Sequence, residues 1–254
     1  MEIIDAHIHP FIEQKDNTGL LRYGGPETPE AFIAGLKRAG ITRACGTVIN
    51  VTDPNTWPKF KRLNADALRL WQMFPDFYIP GIHIHPHYVE ESCQEIEEMY
   101  AKGVRWVGEL VPYMSGHDIY TVKEAFPIYD LMQEKNMVLN IHITTDEDLE
   151  NLMSAFPRLT IVVAHPDEKP DFERHLDRMR RYKNAYLDIS GTGLFRNNLL
   201  RYGIDQVGKE RFLLGTDYPI CNPAMQVQGV LYEPLTDAEY EAVLSGNFLR
   251  LHNP

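Results

Sequence analysis

The chain has 254 residues, a formal charge of −11, and 44% hydrophobic and 24% charged residues. This length falls within the range over which α/β barrels run as one domain, and the hydrophobic fraction is enough for a sizeable core. The acidic balance argues against a broad nucleic-acid surface, which needs a basic footprint, and no apolar run is long enough to span a bilayer.

Short β-branched or apolar runs recur along the chain as Glu2–Ile8, Ala44–Ile49, Phe77–Ile82, Val104–Leu110, Met137–Ile141, Leu159–Ala164, Ala185–Ile189 and Arg211–Gly215. Their near-continuous hydrophobicity predicts parallel strands covered on both faces. Amphipathic segments lie between them. Thr28-Pro29 places a capping hydroxyl before a proline at the first helical position. Asp146 and Glu147 bring negative charge to the start of a helix over Thr145–Phe156, and Pro170-Asp171 opens another that ends with Arg178, Arg180 and Arg181. Eight such units predict one closed (β/α)8 TIM barrel over residues 1–254, rather than an open sheet. No Gly-rich nucleotide loop follows the first strand. The polar loop Phe11–Glu27 is expected to cover the active-site face, and Pro223–Pro254 to close the barrel. Cys45, Cys93 and Cys221 stand outside any CxxC spacing, and no secretory signal is visible at the start. Reduced thiols and a cytoplasmic location are therefore expected.

Metal-ligating residue types fall at the ends of these strands. The first ends Asp5-Ala6-His7-Ile8-His9; residues two apart in a strand share a side, so both imidazoles face inward and suit Zn²⁺ or a similar ion. The fourth ends at Glu109, the fifth at His142, the sixth at His165 and the eighth at Asp217. Taken singly, each has an ordinary structural reading as a cap, turn or ion-pair residue. Together they make buried charge that needs a cation or partners. Asp5 and Asp188 are expected to orient ligands rather than bind metal. In the run His83-Ile84-His85-Pro86-His87, His85 and His87 are candidate contacts for a substrate carboxylate or phosphate, weighed against a merely histidine-rich loop. Tyr113 and Arg196, in loops after the fourth and seventh strands, are further candidate substrate contacts. His117, His175 and His252 are expected at the surface.

IDAHIHP, VGELVPY, VLNIHI, VVAHP, YLDIS, LLGTDYP and SGNFLRLH together resemble the amidohydrolase superfamily, in particular its amidohydrolase-2 branch of metal-dependent hydrolases and decarboxylases. The resemblance implies that His7 and His9 bind metal with Asp217, that His142 is a ligand or shared ligand, and that His165 binds a second metal or contacts the reacting water or substrate. Gly108-Glu109-Leu110 and the HIHPH run also look like segments of TatD-type metallohydrolases, which implies that Glu109 is a ligand and leaves the centre open to one ion or two. Pro166-Asp167-Glu168 replaces the family's small turn after His165.

The resemblance implies one or two divalent ions, Zn²⁺ first and Mn²⁺ next, and a water activated with Asp217 as base and His165 beside the oxyanion. An ester, lactone or amide of a small, carboxylated substrate is the expected target. The alternatives are nonoxidative decarboxylation with Asp217 protonating a carbon, a TatD-like nuclease, and a non-catalytic metal-binding barrel. No nucleic-acid or membrane partner is expected, and a homo-oligomer is compatible with the sequence.

Overall fold

A computed structural model describes residues 2–18, 20–21 and 23–253. Its eight parallel strands are β1 (Ile4–Ile8), β2 (Arg43–Gly46), β3 (Tyr78–Ile82), β4 (Trp106–Leu110), β5 (Val138–Ile141), β6 (Thr160–Val163), β7 (Ala185–Asp188) and β8 (Phe212–Leu213). They pair in chain order with helices between them, so the architecture is a (β/α)8 barrel. All eight expected strands are present and mostly shorter at their ends. β8 keeps two of its five expected residues, and these pair with β7. The ring closes beyond that short ladder. Ala6 N–H donates to the Leu214 carbonyl at 2.8 Å, Asp217 N–H to His7 at 2.9 Å, and His9 N–H to Tyr218 at 2.8 Å. The closing bonds therefore tie the last strand's extension to the HxH segment.

The helices begin as the caps require. The Thr28 hydroxyl accepts from Ala31 N–H at 3.2 Å ahead of Pro29–Arg38, and Thr145 accepts from Asp148 N–H at 3.1 Å ahead of Asp146–Ala155. In Lys169–Arg181 the three arginines fall in the last turn, where the helix dipole favours them. Among the described residues, no helix is long and apolar enough to cross a membrane.

Period-two alternation divides most strands between two apolar layers, and the register shifts in β1 and β4 move Ile8 and Leu110 to the layer opposite Ile4, Ala6 and Trp106. Ile8, Leu139, Ile141, Ile161, Val163 and Leu187 join the helices in the larger buried cluster. Ile4, Ala6, Cys45, Trp106, Val138, Val162 and Leu213 form a smaller one with Phe248 and Leu251 of the C-terminal helix Asn247–His252, which plugs one end of the barrel. The opposite end holds the strand-end residues.

The loop after β1 does pack on that end. It contains a short helix, Gln14–Thr18, whose buried Asp16 accepts from Arg62 at 2.9 Å and from Asn50 at 2.7 Å. Residues 19 and 22 of this loop, and residue 254 of the C-terminal segment, lie outside the described residues.

Candidate metal centre

β1 brings His7 and His9 together with their Nε2 atoms 3.1 Å apart. The tautomers follow from what lies behind each ring. His9 Nδ1 faces the Thr47 carbonyl at 3.3 Å, and His7 Nδ1 faces the Asp188 carboxylate at 3.1 Å. A carbonyl and an ionised carboxylate only accept, so each Nδ1 carries the proton and each neutral Nε2 presents a lone pair. The same point receives two carboxylate oxygens. Glu109 Oε2 lies 3.2 Å from His7 Nε2 and 3.4 Å from His9 Nε2, while Asp217 Oδ1 lies 3.7 and 3.4 Å from them. With both rings neutral, four acceptors converge with no donor among them, which is costly at a buried point unless a cation or added protons sit there. The spacing fits one, because ligand atoms held tetrahedrally at about 2.1 Å from an ion lie about 3.4 Å apart.

The other oxygen of Glu109 faces a second pair. Its Oε1 is 3.0 Å from His142 Nδ1 and 3.5 Å from His165 Nε2. One carboxylate thus spans two groups that each fit a shared ion: His7, His9 and Asp217 on one side, and His142 and His165 on the other. Burial opposes charge on Glu109, yet His7, His142 and His165 hold its carboxyl well below the ordinary range.

The backbone is shaped for this convergence. Ladder register shifts between Asp5 and Ile8 in β1 and between Val107 and Leu110 in β4, the segments that deliver His7 and Glu109. Gly108 has φ +96°, and a Cβ there would collide with the Asn140 carbonyl. His165 and Asp217 also adopt left-handed φ values of 69° and 60°, a sparsely populated conformation that concentrates at functional sites. Beneath the centre, buried Asp5 accepts from His7 N–H at 3.1 Å and Thr216 N–H at 2.9 Å, tying β1 to the segment that carries Asp217.

The structure brings His7, His9, Glu109, His142, His165 and Asp217 to one place, with Tyr113 at its edge. The Tyr113 ring lies 5.4 Å from that of His142 and is 67% exposed. Of the other candidate contacts, His85 and Arg196 are engaged with groups of the protein itself. His85 is buried with both nitrogens engaged: Nε2 meets the Ser115 carbonyl at 3.0 Å and Nδ1 accepts from His87 N–H at 3.1 Å. It closes the turn after β3, and no nitrogen is left for substrate; His87 is exposed beside it. The Arg196 guanidinium is exposed and paired with Glu168 at 2.8 Å, so the departure at Pro166-Asp167-Glu168 supplies its partner. His117 and His175 are buried rather than at the surface. His117 packs edge-on against His85 at 5.1 Å, and His175 lies on the inner face of its helix beside Arg178 at 3.1 Å. His252 stacks on Phe248 and is half-buried.

Three supporting groups went unread in the sequence. Ser190 lies beside His7, His165 and Asp188; Asn140 Nδ2 donates to Asp188 at 3.0 Å; the Cys221 thiol faces Asp217 Oδ2 at 3.8 Å. Serine and asparagine carry no metal-ligand signature, although Asn140 and Ser190 each stand two residues from a candidate site residue, His142 and Asp188.

The amidohydrolase family model matches residues 4–252. The chain belongs to the amidohydrolase family. Solved structures share the fold across the whole length. A 2,6-dihydroxybenzoate decarboxylase complexed with 2,6-dihydroxybenzoate is 12% identical with a TM-score of 0.76, covering 100% of each chain. The 5-carboxyvanillate decarboxylase of Novosphingobium aromaticivorans, complexed with manganese and 4-hydroxy-3-methoxy-5-nitrobenzoic acid, is 15% identical with a TM-score of 0.74, covering 100% of this chain and 96% of that one. A dihydroxybenzoic acid decarboxylase of Polaromonas sp. JS666, with manganese and 2-nitroresorcinol, is 13% identical with a TM-score of 0.70, covering 99% and 96%. No curated protein matches the chain.

Within this amidohydrolase-family site, His7, His9 and His165 are pushed toward the protonated form when no ion is bound. Burial opposes their charge, but carboxylates prevail: Glu109 and Asp188 raise His7 well above its usual value, Asp217 and Glu109 raise His9, and Glu109 raises His165 to about 9. A folded-state value above the unfolded one gives stability that is complete below the unfolded value and lost as pH climbs through the folded one. Melting temperature of the metal-free protein should therefore fall between pH 6.5 and about 9 through His165. Ion binding must displace the same protons, so affinity should rise over that window. Calorimetric titrations in buffers of different ionisation enthalpy will count the released protons, and a pH-independent affinity would contradict this account.

Proposed function

We propose that the protein is a metal-dependent hydrolase that uses a two-ion centre on an ester, lactone or amide bond of a small molecule. The observation that carries this reading is the Glu109 carboxylate, whose two oxygens face separate histidine sets. Glu109 Oε2, His7, His9 and Asp217 would hold one divalent ion, Zn²⁺ or Mn²⁺, and Glu109 Oε1, His142 and His165 the other. When bound, such ions polarise a carbonyl and bring the pKa of a water from about 16 toward 7.

The chain's own groups divide the remaining work. Asp217 Oδ1 points to the histidines, whereas Oδ2 meets the half-buried Cys221 thiol alone among the described residues. Oδ2 is therefore the oxygen that takes the proton from the attacking water and returns it to the leaving group. Asp188 and the Thr47 carbonyl keep the His7 and His9 lone pairs aimed inward. Tyr113 stands at the open side, where its ring can lie against the substrate.

Nonoxidative decarboxylation is the second reading. The activities named for the structural relatives above favour it, two of them with manganese bound. There Asp217 Oδ2 would deliver its proton to the carbon that loses carboxylate. Isotope incorporation separates the two. Protein reconstituted with Zn²⁺ or Mn²⁺ and offered lactones, esters, amides and aromatic carboxylic acids should place ¹⁸O from labelled water in a product carboxylate. Release of CO₂ with deuterium appearing on carbon in D₂O would replace hydrolysis by the second reading.

A further inference from the structure

We infer that Ser190 positions the centre by fixing the tautomer of His165 through a hydroxyl it shares with His7 and Asp188. The Ser190 side chain is fully buried just beyond β7. Its Oγ lies 3.0 Å from His7 Nδ1, 3.0 Å from His165 Nδ1, and in close contact with Asp188 Oδ1. His7, His165 and Asp188 are near enough to share an ion of their own, yet the Ser190 oxygen already lies within hydrogen-bonding distance of all three.

A hydroxyl has one proton and two lone pairs. Asp188 accepts only, and it makes the closest contact, so the Ser190 proton goes to Asp188. The oxygen is left to accept. His7 already directs Nδ1–H toward Asp188 Oδ2, whose other partner is the Asn140 amide at 3.0 Å. For His165 Nδ1 the Ser190 oxygen is the hydrogen-bond partner at hand, so that nitrogen must donate. In the neutral ring His165 Nε2 is then the unprotonated nitrogen, on the side where Glu109 Oε1 lies at 3.5 Å. Gly191 makes this approach feasible: it has φ +62°, and a Cβ there would run into the His165 ring. One buried hydroxyl thus sets a ligand of one histidine set while touching a ligand of the other.

The inference rests on the two-ion reading, and the test judges the two separately. Zn²⁺ alone, titrated against a chelator, gives the stoichiometry and affinity of each ion. In Ser190→Ala, His7 keeps Asp188 as its acceptor while His165 loses its own. One ion should bind about 10–100-fold more weakly and the other should keep its wild-type affinity. Equal weakening of both ions, or of neither, overturns the assignment to Ser190. Wild-type protein that takes up a single Zn²⁺ overturns the two-ion reading instead. Long-range ¹H–¹⁵N spectra of Zn²⁺-loaded wild-type protein decide the tautomer even if the variant does not fold. His165 protonated at Nδ1 alone supports the inference, and a proton on Nε2 overturns it.

Discussion

Asp217→Asn should lower turnover by about 10²–10⁴-fold, the range that a positioned proton acceptor contributes, while leaving fold and ion content intact. Asp217 sits at φ 60° with its N–H bonded to the His7 carbonyl at 2.9 Å and its own carbonyl accepting from Ile220 and Cys221 at 2.9 and 3.0 Å. Asparagine tolerates the left-handed conformation nearly as well as aspartate does, so these bonds survive. Its amide oxygen can replace Oδ1 opposite His7 and His9, and its NH₂ takes the place of Oδ2 beside Cys221. What disappears is the one oxygen with capacity for a proton. Asp217→Ala serves as the control, since it loses the side chain and also sets a Cβ-only residue at positive φ. That strain costs on the order of 1 kcal/mol, or roughly 2–4 °C in melting temperature. Steady-state rates, metal analysis and melting curves on the two variants check this. Wild-type turnover in Asp217→Asn would assign the base to another group.

The barrel was legible because parallel strands buried on both faces leave apolar runs that survive without any partner information. The donors were legible because imidazole and carboxylate at the ends of successive runs have few structural reasons to coincide. Arrangement was the harder part. Two-residue alternation puts His7 and His9 on one side, but nothing local announces the register shifts at Asp5/Ile8 and Val107/Leu110 that let His7 and Glu109 meet. The HIHPH run shows the limit of the same logic. His85 has strand-end placement and the right chemistry, yet its nitrogens are consumed by the Ser115 carbonyl and the His87 amide, contacts made by a loop 30 residues away and a turn two residues away. Arg196 repeats the lesson with Glu168, 28 residues distant. Ser190 was invisible for the opposite reason. A serine has no metal-ligand signature, and its role arises only when β1, β6 and β7 bring His7, His165 and Asp188 around one oxygen. Buried His117 and His175 add a further point: a helical or loop context says little about exposure when the ring can pack on aromatic or guanidinium neighbours.

Glu109→Gln should reduce the bound ions by one per chain and cut turnover by roughly 10³-fold, equivalent to about 4 kcal/mol of transition-state stabilisation. The carboxylate serves both sides because each oxygen carries lone pairs and half the charge. Oε2 faces His7 and His9 at 3.2 and 3.4 Å, and Oε1 faces His142 and His165 at 3.0 and 3.5 Å. A carboxamide of equal shape keeps one accepting oxygen and turns the other position into a donor, so it can support an ion on one side only. On the NH₂ side the amide can donate to an imidazole lone pair, which satisfies that histidine without a cation and makes the loss of the ion selective. Glu109→Asp keeps the charge but shortens the reach by one methylene, so it should restore neither oxygen to its present place and recover little activity. Metal stoichiometry on purified variants, read beside turnover, checks this. Retention of both ions in Glu109→Gln would reduce Glu109 to a hydrogen-bond partner of His142 and take from it the role of joining the two histidine sets.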